Sequence, residues 1–187
     1  MRLKNNTWVF DNALNKATCD ELIKIGNAQV IKEATVGGGK KPKKKLRVCQ
    51  TGWIQDPYIM EQIMEYVDKA NYHAGWNFQI EQPQQIQFTK YEEGGHYNWH
   101  RDANRDLSKT GGKTRKISIT INLNDDYEGG ELEIDSEDHY WTKHPRKVRQ
   151  GLGSIAVFPS DTYHRVTKVT KGTRYSLVVW VMGDAWK

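Results

Sequence analysis

Long apolar runs are missing from this sequence. The longest, Leu177 to Met182, is six residues, far short of the roughly 20 that a membrane-spanning helix needs. The first ten residues, MRLKNNTWVF, hold no apolar stretch of the kind that leads secreted chains. Both absences predict a cytoplasmic protein that does not enter membranes. Cysteine is scarce, with only Cys19 and Cys49, too few for a disulfide framework and in keeping with a reducing compartment. Hydrophobic residues make up only 37%, but seven Trp, nine Tyr and four Phe are among them. Large rings build a core from few positions, which argues against a disordered chain despite a mean hydropathy of -0.81. The 187 residues amount to about one domain, large enough to bury a core without staples.

Charge is present but uneven. The 28 basic residues exceed the 23 acidic ones by five. Lys40, Lys41, Lys43, Lys44, Lys45 and Arg47 fall together in GGGKKPKKKLR, so that one segment accounts for the whole excess. Like charges repel and Gly37 to Gly39 resist ordering, so the segment is expected to be a loop. It is either simply solvated, or a clamp for an acidic peptide, or a contact for nucleic acid phosphates.

Helices come first and strands follow. Thr18 and Glu21 have the spacing of a capping box, and Cys19, Leu22, Ile23, Gly26 and Val30 recur at helical spacing. Asp56 followed by Pro57 predicts the start of a second helix, with Met60, Ile63, Met64 and Val67 as its apolar stripe. Between them Arg47 to Ile54 reads as a strand. From Gln84 onward short strands alternate with turn signals. Ile117, Ile119, Ile121 and Leu123 alternate with polar residues, and Tyr175 to Met182 forms the last strand. This order predicts an α+β fold whose strands form a sandwich or jelly roll.

Two places carry chemistry. In YEEGGHYNWHRD, His100 and Asp102 are two apart, and on a strand such residues share a face. In DTYHRV, His164 opens a further strand. Two imidazoles and one carboxylate on neighbouring strands make the facial triad of non-haem Fe(II) sites. The same three ligands around zinc would instead serve hydrolysis. Arg174, ten residues after His164 and among Tyr175, Leu177, Val178 and Val179, can hold a carboxylate through two parallel hydrogen bonds. A 2-oxo diacid that chelates a metal at one end needs such an anchor at the other. His96 follows Gly94-Gly95, which disfavours a helix pairing it with His100. His73, His139 and His144 sit in polar or aromatic surroundings and read as structural or exposed. Trp99 is expected to face away from His100. Trp53 and Trp141 are candidates for stacking on a substrate, with packing as the default role.

The chain resembles the Fe(II)- and 2-oxoglutarate-dependent dioxygenases of the prolyl 4-hydroxylase type. The resemblance is carried by Tyr91, Gly94, Tyr97, His100 and Asp102, then RKISITINLN, YEGGEL, GSIAVFPS and HRVTKVTKGTRYSLVVW, and more faintly by RVCQTGWI. It implies a double-stranded β-helix, with residues 84–187 as the dioxygenase core and residues 1–83 as helices and a substrate loop packed on it, in one structural domain. It implies that His100, Asp102 and His164 bind iron and that Arg174 holds the distal carboxylate of 2-oxoglutarate. Tyr91 would donate to the same carboxylate, and Ser176, Thr120 and Asn122 are candidates for the same pocket. The implied reaction consumes O2 and 2-oxoglutarate, with ascorbate as reductant, and hydroxylates proline in a peptide or protein, with release of succinate and CO2. The loop from Val36 to Leu46 would fold over a bound peptide, and the basic segment Lys40 to Arg47 would engage that peptide or protein substrate, proline-rich in this reading. Ala103 to Lys113 is a second lid candidate by composition.

Arg174 departs from the Lys that many prolyl 4-hydroxylases carry, which leaves the subgroup open. The alternatives are a nucleic-acid demethylase of the AlkB type or a free amino acid hydroxylase. The demethylases show RxNxTxR in their final motif, where this chain reads RYSLVVW. An alternative of another class is a non-enzymatic jelly-roll module that binds acidic ligands or nucleic acid through Lys40 to Arg47.

Overall fold

The computed structural model describes residues 5–29, 31–35, 43–104, 106–135 and 145–185. The first helix, α1 (Lys16–Asn27), is capped by Asn15, not by Thr18. Asn15 has extended backbone, and its Oδ1 accepts the Thr18 N–H at 2.9 Å and the Thr18 hydroxyl at 3.1 Å. The expected Thr18–Glu21 box therefore lies inside the first turn. Asn is at least as good a cap as Thr, and it sits three residues earlier. Cys19, Leu22 and Gly26 of α1 are buried, while Val30 lies outside the described residues. The second helix, α2 (Pro57–His73), starts as expected: Asp56 accepts the Ile59 N–H at 3.0 Å and Pro57 occupies the first turn.

Among the described residues, fourteen strands follow along the chain. They are β1 (Trp8–Phe10), β2 (Lys32–Glu33), β3 (Arg47–Val48), β4 (Gln50–Ile54), β5 (Ile86–Tyr91), β6 (His96–His100), β7 (Lys113–Asn122), β8 (Glu128–Gly129), β9 (Leu132–Ile134), β10 (Arg146–Val148), β11 (Ile155–Pro159), β12 (His164–Val166), β13 (Val169–Lys171) and β14 (Arg174–Asp184). The major sheet has the order β1-β11-β7-β14-β5-β4-β2 and the minor sheet β10-β9-β12-β6-β3. Strands β13 and β8 form a separate ribbon. This antiparallel double sheet with two helices is the jelly-roll, double-stranded β-helix expected from the sequence.

The helices cover one face of the major sheet. Cys19 and Leu22 of α1 and Ile63, Val67 and Ala70 of α2 share a core with Ile117, Ile119, Ile121, Leu177 and Val179. The helix approaches so closely that a Cβ on Gly26 would fall 2.2 Å from the Phe88 ring. The other face of the major sheet turns toward the minor sheet, and the site lies between them.

The segment Arg47 to Ile54, expected as one strand, divides at Cys49. Its first part pairs with β6 in the minor sheet and its second with β5 in the major sheet. A jelly roll needs such crossings to join its layers. Arg47 is thereby drawn out of the basic loop and buried, at 8% exposure. Lys40 and Lys41 lie outside the described residues, as do residues 136–144 with His139, Trp141 and His144. Cys19 and Cys49 are free and buried. Among the described residues no helix is long and apolar enough to cross a membrane.

Candidate active site

His100 ends β6 and His164 opens β12, and the two residues are direct cross-strand partners. The pairing shifts by a bulge immediately after His164, a device that re-aims side chains. Asp102 follows the end of β6, where its N–H donates to the Ser160 carbonyl at 2.9 Å. The three side chains therefore converge. Asp102 Oδ1 lies 3.6 Å from His100 Nε2, and Oδ2 lies 3.6 Å from His164 Nε2. One ligand atom from each residue lies within 4.8 Å of the others, the one such group that includes these residues among those described.

Each imidazole is oriented from behind. His100 Nδ1 sits 2.8 Å from the Asn98 carbonyl and His164 Nδ1 sits 2.9 Å from the Thr162 carbonyl. A carbonyl oxygen only accepts, so each Nδ1 carries the proton and each Nε2 presents its lone pair to the site. This backing is the usual partner of a metal-bound histidine. Burial, then the neighbouring His164, lowers the His100 pKa to about 3, so the ring is neutral and able to ligate. Burial works against ionisation of Asp102, but His164, His100 and Arg115 outweigh it and hold its carboxyl below the ordinary range. Ser118 Oγ donates to Asp102 Oδ2 at 2.8 Å, and Ser160 Oγ is 2.8 Å from Ser118 Oγ. The indole N–H of Trp180 lies near the same carboxylate, outside good hydrogen-bond geometry. Two oriented imidazoles and an ionised, fixed carboxylate fit a divalent transition metal.

A cavity of about 400 Å³ opens beside the group. Tyr91, Thr120 and Val178 line it from the major sheet, and Tyr97 and Val166 from the minor sheet. Trp53, 46% exposed, contributes to the wall. Arg174 and Ser176 do not line it. Arg174 pairs with Tyr91 across the strands, its guanidinium carbon 5.6 Å from the Tyr91 ring centre. It is 2% exposed, its Nη1 donates to Ser176 Oγ at 3.0 Å, and its Nε is buried without a partner. No carboxylate faces it among the described residues. Gly130, in the left-handed region at φ +63°, makes room for it: a Cβ there would fall 3.0 Å from Arg174 Cδ. A buried guanidinium with an orphaned N–H behind a cavity wall suits an incoming carboxylate. Asn122 turns elsewhere, accepting from the Tyr127 hydroxyl and donating to the Asn124 carbonyl.

The remaining candidates separate cleanly. His96 stays outside the group, with Nδ1 on the Gly94 carbonyl at 3.0 Å. His73 stacks on Trp8 at the end of α2. Trp99 faces away from the site, stacked on Tyr163 with Arg165 over its ring. Sequence reasoning placed Arg47 in the basic substrate segment but not in the wall of this cavity, and it missed the roles of Arg115 and Ser118. A signal for Ser118 existed, since it alternates with isoleucines on a strand buried on both faces.

A family model for the 2OG-Fe(II) oxygenase superfamily matches residues 86–182, a span that includes all four of His100, Asp102, His164 and Arg174. The chain belongs to that superfamily. It is an oxygenase, and Fe(II), 2-oxoglutarate and O2 are the reactants the family implies. A PKHD-type hydroxylase of Synechococcus sp. (strain CC9311) is 31% identical over 178 residues, covering 90% of this chain and 74% of the relative. A second, from Idiomarina loihiensis, is 36% identical over 98 residues, and there the chain spans only 41% of the relative's length. Among solved structures, the fold is similar to a prolyl hydroxylase from Trichoplax adhaerens in complex with a hypoxia inducible factor peptide fragment. The TM-score is 0.76 at 18% identity, over 95% of this chain and 84% of that one.

Proposed function

We propose that this oxygenase hydroxylates prolyl residues in a peptide or protein, consuming 2-oxoglutarate and O2 and releasing succinate and CO2. The observation that carries the reading is the convergence of His100, Asp102 and His164 at 3.6 Å contacts beside a cavity large enough for one side chain and a small diacid. The similar fold that holds a peptide supports a peptide substrate.

In this reading His100, Asp102 and His164 hold Fe(II). When bound, the metal supplies the redox chemistry that inserts an oxygen atom into a C–H bond. The protein contributes orientation. The Asn98 and Thr162 carbonyls fix the imidazoles, Ser118 fixes the carboxylate, and the aliphatic wall excludes water. Arg174, with Ser176 and the Tyr91 hydroxyl, takes the distal carboxylate of 2-oxoglutarate. Ascorbate is the reductant that keeps the metal ferrous, and the two free thiols fit a cytoplasmic setting. The pairing of β3 with β6 and of β4 with β5 supports reading residues 1–83 and 84–187 as one structural domain.

The test is succinate release with Fe(II), 2-oxoglutarate, ascorbate and O2, with and without proline-containing peptides, followed by mass spectrometry of each peptide. One oxygen added to proline, absent in His100→Ala, establishes the reading. Succinate that rises with nucleic acid or a free amino acid, and with no peptide, overturns it.

A further inference from the structure

Arg47 and Arg115 both line the cavity, and neither has an acidic hydrogen-bond or ion-pair partner among the described residues. Arg47 is 8% exposed. Its Nε donates to Cys49 Sγ at 2.9 Å and its Nη2 to Gln87 Oε1 at 2.9 Å, while its guanidinium carbon stands 4.7 Å over the Tyr97 ring. Arg115, half-buried, donates from Nε to Gln84 Oε1 at 2.8 Å and lies 3.8 Å over the Trp180 ring. Each is held in place by neutral groups with donor capacity to spare. The acids that share an outer groove with Arg47 are engaged elsewhere: Glu33 with Lys44 at 3.7 Å, Glu92 with Lys90 at 2.7 Å, and Glu93 with the Gly172 N–H. Asp102 is the single carboxylate among the lining residues.

Buried charge is costly unless compensated. Once a divalent metal, the Asp102 carboxylate, the 2-oxoglutarate dianion and the Arg174 guanidinium are together, their charges cancel. Arg47 and Arg115 remain. We infer that Arg47 and Arg115 form a substrate subsite for a carboxylate, so that the substrate is an acidic peptide with Asp, Glu or a free C-terminus near the oxidised residue. The inference rests on the peptide reading above. Lys43, Lys44 and Lys45, all exposed just before Arg47, extend the same positive field outward. A carboxylate on a side chain is favoured over a nucleic acid phosphate because Ile119, Leu132, Phe158 and Val166 also line the cavity, an apolar wall suited to a side chain.

The experiment uses pairs of proline-centred peptides that differ only in Asp or Glu against Asn or Gln beside the proline. Binding is read by calorimetry on protein loaded with Zn(II) and 2-oxoglutarate, and turnover on the Fe(II) enzyme. The acidic member is expected to bind about tenfold tighter, the scale of one charge-assisted hydrogen bond. That ratio should collapse toward one in Arg47→Gln and in Arg115→Gln, and persist in Arg47→Lys. Equal affinity within pairs on the unaltered protein overturns the subsite, and does so whether or not a variant folds. Arg47→Gln that raises the KM for 2-oxoglutarate while keeping the acid preference also overturns it, by making Arg47 a co-substrate anchor. Acid-selective binding with no oxygen on proline keeps the subsite and sinks the prolyl reading alone. Tighter competition by a single-stranded oligonucleotide than by acidic peptides replaces carboxylate with phosphate and overturns the inference.

Discussion

The ring of Tyr97 lies flat on the imidazole of His100, 3.5 Å between centroids and 12° from parallel. Arg47 covers Tyr97 in turn, so an aromatic plate separates a cation from a candidate metal ligand. The plate limits rotation of the imidazole, while the Asn98 carbonyl fixes its tautomer. Tyr97→Phe keeps the plate and should leave metal affinity nearly unchanged. Tyr97→Leu removes it and should weaken Co(II) or Ni(II) binding by about tenfold, the usual scale for partners that orient a ligand. Calorimetric titration of the metal-free protein checks both.

The Asp102 carboxylate depends on Ser118, whose hydroxyl in turn meets Ser160. Ser118→Ala leaves a buried carboxylate oxygen short of a donor, at a cost of about 1–3 kcal/mol. We expect a lower melting temperature for the metal-free protein and a larger loss in metal affinity than in KM for any peptide. A variant with unchanged metal affinity would show that the serine pair merely fills space.

Much of this site is written locally, and that is why it is legible in the sequence. His100 and Asp102 are two residues apart, and Arg174 lies on an apolar strand that no solvated arginine would share. What escapes the sequence depends on partners distant along the chain. Arg47 belongs by composition to a basic loop, and only its pairing with Tyr97 at the edge of the minor sheet draws it inside. The break at Cys49 is equally invisible, because both halves of Arg47 to Ile54 have strand character and their division follows from which neighbour each half meets. The first helix illustrates a local tie: Asn15 and Thr18 both offer a side-chain oxygen, and the structure uses the earlier one.

The pH dependence of the metal-free protein follows from two buried groups. His100 ionises near 6.5 when unfolded but at about 3 when folded. Below pH 6.5 the unfolded state therefore binds the extra proton, and stability falls as pH drops from 6.5 toward 3. Asp102, with its folded pKa below the ordinary value, adds stability that is present above the carboxylate range and lost as pH falls through it. Thermal melts from neutral pH down to about pH 4 should show a steady decline. In His100→Gln the decline between pH 6.5 and the carboxylate range should flatten. An unchanged slope in that variant would mean that His100 is not the group titrating.

Helix α1 meets the sheet through a glycine, and that contact sets the last expectation. At an exposed helical position Gly→Ala is worth up to about 1 kcal/mol of added stability. At Gly26 the new methyl would fall 2.2 Å from Cδ2 and 2.4 Å from Cε2 of Phe88. Phe88 is fully buried in β5 and stacks on Tyr175 at 5.8 Å, so the ring has nowhere to retreat. Overpacking of this kind costs about 1–3 kcal/mol or more, which outweighs the propensity gain. Gly26→Ala should lower the melting temperature by several degrees, at about 2–4 °C per kcal/mol for a chain of this size. The helix lies on the far side of the sheet from His100, so metal affinity at a temperature below the transition should be retained. A variant as stable as the parent would show that α1 can slide away from the sheet without loss.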